Sequence, residues 1–158
     1  MQGRSLLQLG ACVGLCLLAS YISAQVTYPE IATWYVGLSK PTWTPPNWVF
    51  PVRHSRQRLT PIKTYNAFQT SNSNGQGRLA IGLFFTQLAL NAAWSPVFFG
   101  LHQIEWAIVV IVGLALAIAA TIAVAWDISR AAAGLLVPYL AWVIYAASLN
   151  SAIALLND

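Results

Sequence analysis

Long apolar runs dominate the chain and are separated by short polar connections and one extended polar stretch. The apolar runs cover residues 5–24, 79–99, 106–126 and 132–156. A helix needs ~20 apolar residues to cross the hydrocarbon core of a bilayer, and each run is about that long. The pattern predicts an all-α integral membrane protein in which residues 1–158 form a single membrane domain.

The polar stretch covers residues 53–78 and contains five of the eight Lys and Arg residues. By the positive-inside rule, such a basic loop faces the cytoplasm. The cluster is too small, and too closely tied to membrane segments, to predict nucleic-acid binding. Over the whole chain 58% of residues are hydrophobic and 8% are charged, whereas roughly a quarter are charged in soluble domains. The composition therefore agrees with membrane insertion.

The first apolar run allows two interpretations. One basic residue, Arg4, followed by an apolar core is typical of a cleaved secretory signal. The run continues through residues 21–24, beyond the usual length of such a core, which favours a retained helix.

The segment Lys40–Pro51 contains two tryptophans, Trp43 and Trp48, and four prolines. Proline fixes φ and removes a backbone donor, so the segment is neither a helix interior nor a central strand. Irregular backbone at membrane depth must contact water or protein. We interpret it as a rigid aromatic lid over a helical bundle; an interfacial anchor without a ligand role is the alternative.

The second apolar run carries polar groups on one helical face, where Gln87, Asn91 and Trp94 are spaced by four and three residues. An amide in hydrocarbon is costly unless it is hydrogen-bonded, so both amides should point into the bundle. They are explained equally well as links between helices and as polar contacts in a ligand cavity. Pro96 should free the carbonyl of Ala92 and bend the helix near its end.

The last run repeats the aromatic pattern at Tyr139, Trp142 and Tyr145, and Ala146 and Leu149 continue the same stripe. Such a stripe often serves only helix packing, but Ala146 leaves space beside Trp142 for a flat ligand. All Asp and Glu residues lie at the ends of spans or in loops, so proton-driven transport has no intramembrane carboxylate. No nucleophile set, phosphate loop or metal-ligand cluster is visible. The pattern predicts an aromatic cavity for a flat hydrophobic molecule.

Three motifs, in this order, resemble those of the TspO/MBR translocator protein family, also called tryptophan-rich sensory proteins or peripheral-type benzodiazepine receptors. They are the W-x-P-P-x-W core within Lys40–Pro51, QLALNAAWSPVFFG at Gln87–Gly100 and LVPYLAWVIYAASLN at Leu136–Asn150. The resemblance implies a five-helix membrane bundle, commonly a homodimer, with a cavity closed by the loop between its first two helices. The membrane would be bacterial or an organellar outer membrane.

The resemblance also implies a function: a membrane receptor or sensor that binds porphyrins such as protoporphyrin IX, for tetrapyrrole sequestration or transport and stress response. Porphyrin would be a ligand, with no obligatory cofactor and with membrane lipid as surroundings. The alternatives are an enzyme that degrades bound porphyrin in light and a sterol or lipid transporter; the lack of an intramembrane base or metal site favours the binder. Matching positions give the expected ligand-binding residues Trp48, Asn91, Trp94, Trp106, Trp142, Ala146 and Leu149.

Two features depart from the family. No Lys or Arg follows Arg130, so the basic position of the cholesterol-recognition pattern is absent, which weighs against a sterol ligand. The second family helix should occupy about 52–75, but this segment is polar and basic, and His54 stands where a pocket tryptophan is expected. Basic residues near the bilayer centre cost ~2.5–3.5 kcal/mol each, so the second helix is predicted to be degraded or missing. A shifted reading frame and a natural four-span variant with a basic loop are the two explanations.

Overall fold

The computed structural model describes Gly14, Leu18 and residues 21–45 and 75–157, with the backbone alone for residues 75–78. Regular structure in these residues is entirely helical, which confirms the all-α prediction. Trp48 and the region expected to hold the second family helix, up to residue 74, lie outside the described residues.

Short turns connect the first described helix to the second and the last three helical segments to one another. We number them in chain order, α1 being the described part of the first helix, and a π-helical turn lies between α3 and α4. They are α1 (residues 21–32), α2 (Trp34–Gly37), α3 (Gly75–Ser95), the π turn (Pro96–Gly100), α4 (Ile104–Ile128) and α5 (Arg130–Asn157).

Within the described part of the chain, three helices are long and apolar enough to cross a membrane: Leu79–Gly100, Ile104–Ile128 and Arg130–Asn157. The 25 residues of α4 reach ~37 Å, enough for a hydrocarbon core of about 30 Å. Large apolar side chains also face outward on this helix, for example Leu116, which is 67% exposed. Lipid provides the apolar surroundings that such an outer surface requires.

Helix α4 lies between α3 and α5 and packs against both. Ile111, Leu114 and Ile118 of α4 form a buried cluster with Leu136 and Val143 of α5. These α4 positions recur at three and four residues, the period that keeps side chains on one helical face. The central contact is therefore a continuous aliphatic seam between α4 and α5.

Pro96 begins the π turn that ends α3. Proline has no N–H to donate to the carbonyl one turn earlier, and the wider π winding accommodates the interruption. The neighbouring residues Phe98 and Phe99 are each only 2% exposed and belong to one buried cluster. The π turn thus carries two consecutive rings that both point into the protein.

The connection between the π turn and α4 is attached to the first helices through His102. Its Nε2 lies 3.1 Å from Oε2 of Glu30, and its ring stacks on Trp34 with centroids 4.3 Å apart. His102 itself has φ 55°, in the left-handed region. These contacts fix the N-terminal helices against the end of the bundle at which the π turn lies.

Candidate ligand-binding cleft

A cleft opens at the end of the bundle that holds α2 and the π turn. Its cavity volume is about 20 Å³, little more than one water molecule needs. The cleft is thus largely filled by its own side chains. It is lined by Tyr35, Trp94, Phe98, Phe99, Trp142, Tyr145, Ala146, Leu149, Asn150 and Ile153.

Aromatic rings from α3, the π turn and α5 form much of the lining. Trp94 and Phe98 stack almost parallel, with centroids 5.2 Å apart, and Phe99 meets both edge to face at 6.0 and 4.8 Å. On α5, Trp142 and Tyr145 pack at 5.4 Å. Ring faces of this kind suit a flat, conjugated ligand.

The cleft carries few polar groups. Asn150 is 2% exposed; its Nδ2 donates to the carbonyl of Ile104 at 3.2 Å, and its Oδ1 has no partner among the described residues. Nε1 of Trp94 is likewise buried without an acceptor there. Burial raises the pKa of Tyr35 to about 12, so this phenol stays neutral.

The segment that follows α2 lies against the mouth of the cleft. The carbonyl of Trp43 accepts a hydrogen bond from the hydroxyl of Tyr145, and Asn157 exchanges two hydrogen bonds of 2.9 Å with the backbone of Ser39. Lys40 donates to the carbonyls of Tyr35 and Leu38, and its Nζ lies 4.5 Å from the Tyr35 ring centroid. We call residues 39–44 the mouth segment.

The structure brings together four of the residues that the sequence predicts for the site: Trp94, Trp142, Ala146 and Leu149 all line the cleft. Asn91 does not line it. Its Nδ2 donates to the hydroxyl of Tyr139 at 2.9 Å, a link between α3 and α5.

Trp106 lies elsewhere, in the first turn of α4, with 64% of its surface exposed. Its ring is absent from the cleft lining, and an interfacial position suits an exposed tryptophan at a helix end. Trp48 lies outside the described residues. The ligand-binding role of all seven residues stays a prediction.

Sequence reasoning did not select Tyr35, Phe98, Phe99, Asn150 and Ile153, which also line the cleft. Ile153 and Asn150 follow Leu149 and Ala146 by four residues on α5, so extending the aromatic stripe by one turn would have found them. To predict that Phe98 and Phe99 line the cleft, one must know of the π turn, and Pro96 is its only signal in the sequence. In the described residues there is no group of three or more His, Cys, Asp or Glu side chains placed to hold a metal ion.

Comparison with known proteins agrees with this architecture. The model of the TspO/MBR family matches residues 12–156. The tryptophan-rich protein TspO of Archaeoglobus fulgidus is 38% identical over 97% of this chain and 99% of its own length. Protein CrtK of Rhodobacter capsulatus is 39% identical over 78% of each chain, and the human translocator protein is 36% identical over 84% of this chain and 80% of its own.

These similarities cover nearly the whole chain and support a role as a membrane receptor or sensor. They also agree with the three helices of membrane-spanning length. The chain belongs to the TspO/MBR family and is an integral membrane protein.

Proposed function

We propose that the protein is a membrane receptor or sensor that binds a porphyrin of the protoporphyrin IX type in the cleft, for tetrapyrrole sequestration or transport and stress response. The observation that carries the proposal is the lining: tryptophan, phenylalanine and tyrosine rings from α3, the π turn and α5 surround one apolar volume. Five of these rings lie within the motifs that resemble those of the family: Trp94, Phe98, Phe99, Trp142 and Tyr145.

A porphyrin is a rigid, flat macrocycle with two apolar faces. Trp94 and Phe98 already stack in parallel, and a flat macrocycle can continue such a stack. Aromatic stacking contributes about 0.5–1.5 kcal/mol per pair beyond the burial of area. Ala146 has the smallest side chain in the lining and leaves room beside Trp142 for the edge of such a ring.

Porphyrin entry requires the cleft to widen, because its cavity volume is only about 20 Å³. The mouth segment is a suitable element to move. Its contacts with α5 include the hydrogen bond from Tyr145 to Trp43 and the pair between Asn157 and Ser39. Each such bond contributes about 1 kcal/mol, which the contacts of a bound macrocycle can offset.

The test is a fluorescence titration of the purified protein in detergent with protoporphyrin IX, using the seven intrinsic tryptophans as reporters. We expect saturable quenching that Ala146→Phe weakens strongly, because the new ring fills the cleft. Ala141→Phe is the matched control: it makes the same change on the same helix at an exposed position. Equal affinities of the two variants, or no saturable quenching by a helical sample, would refute the proposal.

Turnover distinguishes a porphyrin receptor from the alternative, an enzyme that degrades bound porphyrin in light. A binder returns the porphyrin unchanged after illumination, whereas an enzyme converts it into a new absorbing species. Absorption spectra of the illuminated complex, compared with those of the Trp94→Phe variant, distinguish the two. A sterol ligand is tested by its ability to compete with protoporphyrin IX for the protein, and we expect no competition.

A further inference from the structure

The side-chain amide of Asn150 has a defined orientation in the cleft. Its nitrogen donates to the carbonyl of Ile104 in the first turn of α4, at 3.2 Å. A carbonyl oxygen can only accept, so the nitrogen of the amide must be on this side. The oxygen Oδ1 is consequently the free end of the amide.

The position of Oδ1 is unusual because this acceptor is buried and has no donor in the described part of the chain. Asn150 is 2% exposed and lines the cleft, and no group in the described part of the chain donates to Oδ1. A buried acceptor without a donor destabilises a protein, and buried polar groups are generally paired. Nε1 of Trp94 is a buried donor without an acceptor in the same cleft. The apolar lining thus presents one unused acceptor and one unused donor.

We propose that Asn150 determines specificity for the ligand's polar edge: its Oδ1 accepts a hydrogen bond from the O–H of a neutral carboxylic acid group on a flat hydrophobic ligand. Trp94 Nε1 donates to an acceptor oxygen of the same ligand. The inference rests on the proposed function, because it concerns the acid groups that a porphyrin of this type carries.

A neutral acid suits the cleft better than a carboxylate. Among the described residues the lining contains no Lys or Arg, and burial in apolar surroundings disfavours the ionised form. The nearest cation described beside the lining is Lys40, whose ammonium group already donates to the carbonyls of Tyr35 and Leu38. A carboxylate accepts hydrogen bonds only, so it would leave Oδ1 unpaired.

The experiment compares protoporphyrin IX with its dimethyl ester, which keeps the macrocycle and both carbonyl oxygens but lacks the acid O–H groups. On the unaltered protein, we expect the ester to bind about fivefold more weakly or worse, the effect of one lost hydrogen bond. On Asn150→Leu the two ligands should bind alike. On Trp94→Phe both should bind more weakly, with the ratio between them retained.

Several outcomes overturn the inference. Equal affinity of acid and ester for the unaltered protein does so without any variant, so misfolding of Asn150→Leu cannot obscure the answer. A ratio that survives in Asn150→Leu but disappears in Lys40→Met would instead assign recognition to a carboxylate at Lys40. Neither of these two outcomes contradicts the proposed binding of a porphyrin. Absence of saturable binding by either ligand would refute the proposed function as well.

Discussion

The hydroxyl of Tyr145 donates a 2.9 Å hydrogen bond to the backbone carbonyl of Trp43, and the two rings pack edge to face with centroids 5.6 Å apart. Tyr145 also lines the cleft. One side chain therefore contacts both the mouth segment and the space in which a ligand is proposed to bind. A ligand that displaces this ring would also loosen the mouth segment.

Tyr145→Phe should loosen the mouth segment without removing the aromatic ring. The lost hydrogen bond contributes about 1 kcal/mol, which corresponds to about fivefold faster hydrogen exchange if local opening exposes the amide. The amide of Thr44, which donates to the carbonyl of Pro41 at 3.0 Å, is the reporter. Tyr28→Phe, at a residue that is 57% exposed, is the control and should leave the exchange unchanged. Unchanged exchange in Tyr145→Phe would contradict the role of this hydrogen bond.

Asn157→Ala should release the other end of the same segment. The Asn157 side chain accepts from the amide of Ser39 and donates to its carbonyl, so the variant removes both bonds. We expect faster exchange of the Ser39 amide. Ser148→Ala removes a bond local to α5, from the serine hydroxyl to the carbonyl of Tyr145, and should not have this effect.

A double-mutant cycle decides between the two interpretations of Asn91. As a link between helices, Asn91→Leu leaves the buried hydroxyl of Tyr139 without its amide donor and costs about 1–3 kcal/mol. Adding Tyr139→Phe should recover part of that loss, since both partners are then apolar. Thermal unfolding in detergent measures the stability. If Asn91→Leu leaves the midpoint unchanged but weakens porphyrin binding, Asn91 is a ligand contact instead.

Gly100→Ala should destabilise the fold. A Cβ at this position would lie 3.0 Å from Cγ1 of Val26 in α1, and a β-branched side chain has little rotamer freedom to withdraw. The expected cost is roughly 1 kcal/mol or more, visible as a lower unfolding midpoint. Gly134→Ala is the matched control, because a Cβ there has nothing within 4 Å. Its midpoint should stay the same or rise, since alanine favours helix.

Trp106 and Trp142 should respond differently to substitution. Trp142 lines the cleft, so Trp142→Leu should weaken porphyrin binding by about fivefold or more, the contribution of one aromatic contact. Trp106 is 64% exposed outside the cleft, and Trp106→Leu should have little effect. Titration followed by porphyrin absorption avoids the change in tryptophan signal. Equal losses would mean that Trp106 contacts the ligand after all.

Sequence periodicity predicts well which side chains of a regular helix share one face. The cost of an amide in hydrocarbon indicates that Gln87 and Asn91 face inward, and the structure confirms it: Gln87 is 5% exposed and Asn91 bonds to α5. The stripe from Trp142 to Leu149 lines one cleft for the same reason. The 3.6-residue period of a helix assigns these faces without any knowledge of the neighbouring helices.

Periodicity fails where the backbone departs from the regular helix or where distant segments meet. Phe98 and Phe99 lie in a π turn that replaces the α-helical winding, so the 3.6-residue period does not apply to them. The contact between Trp43 and Tyr145 joins positions 102 residues apart, which no local pattern predicts. Trp106 shares its residue type with the cleft residues, but type alone does not determine which way a helix faces.

The bonds from Asn157 to Ser39 and from Tyr145 to Trp43 span 118 and 102 residues. During synthesis the mouth segment emerges long before α5 exists, so it has neither of these partners until the last helix has been made and inserted. Until then its tryptophan and its proline lie without these partners; the membrane surface accommodates an aromatic ring well. Closure of the mouth is thus a late event in biogenesis, and a defect in inserting α5 should remove both this closure and the part of the cleft lining that α5 provides, even when the earlier helices are correctly placed.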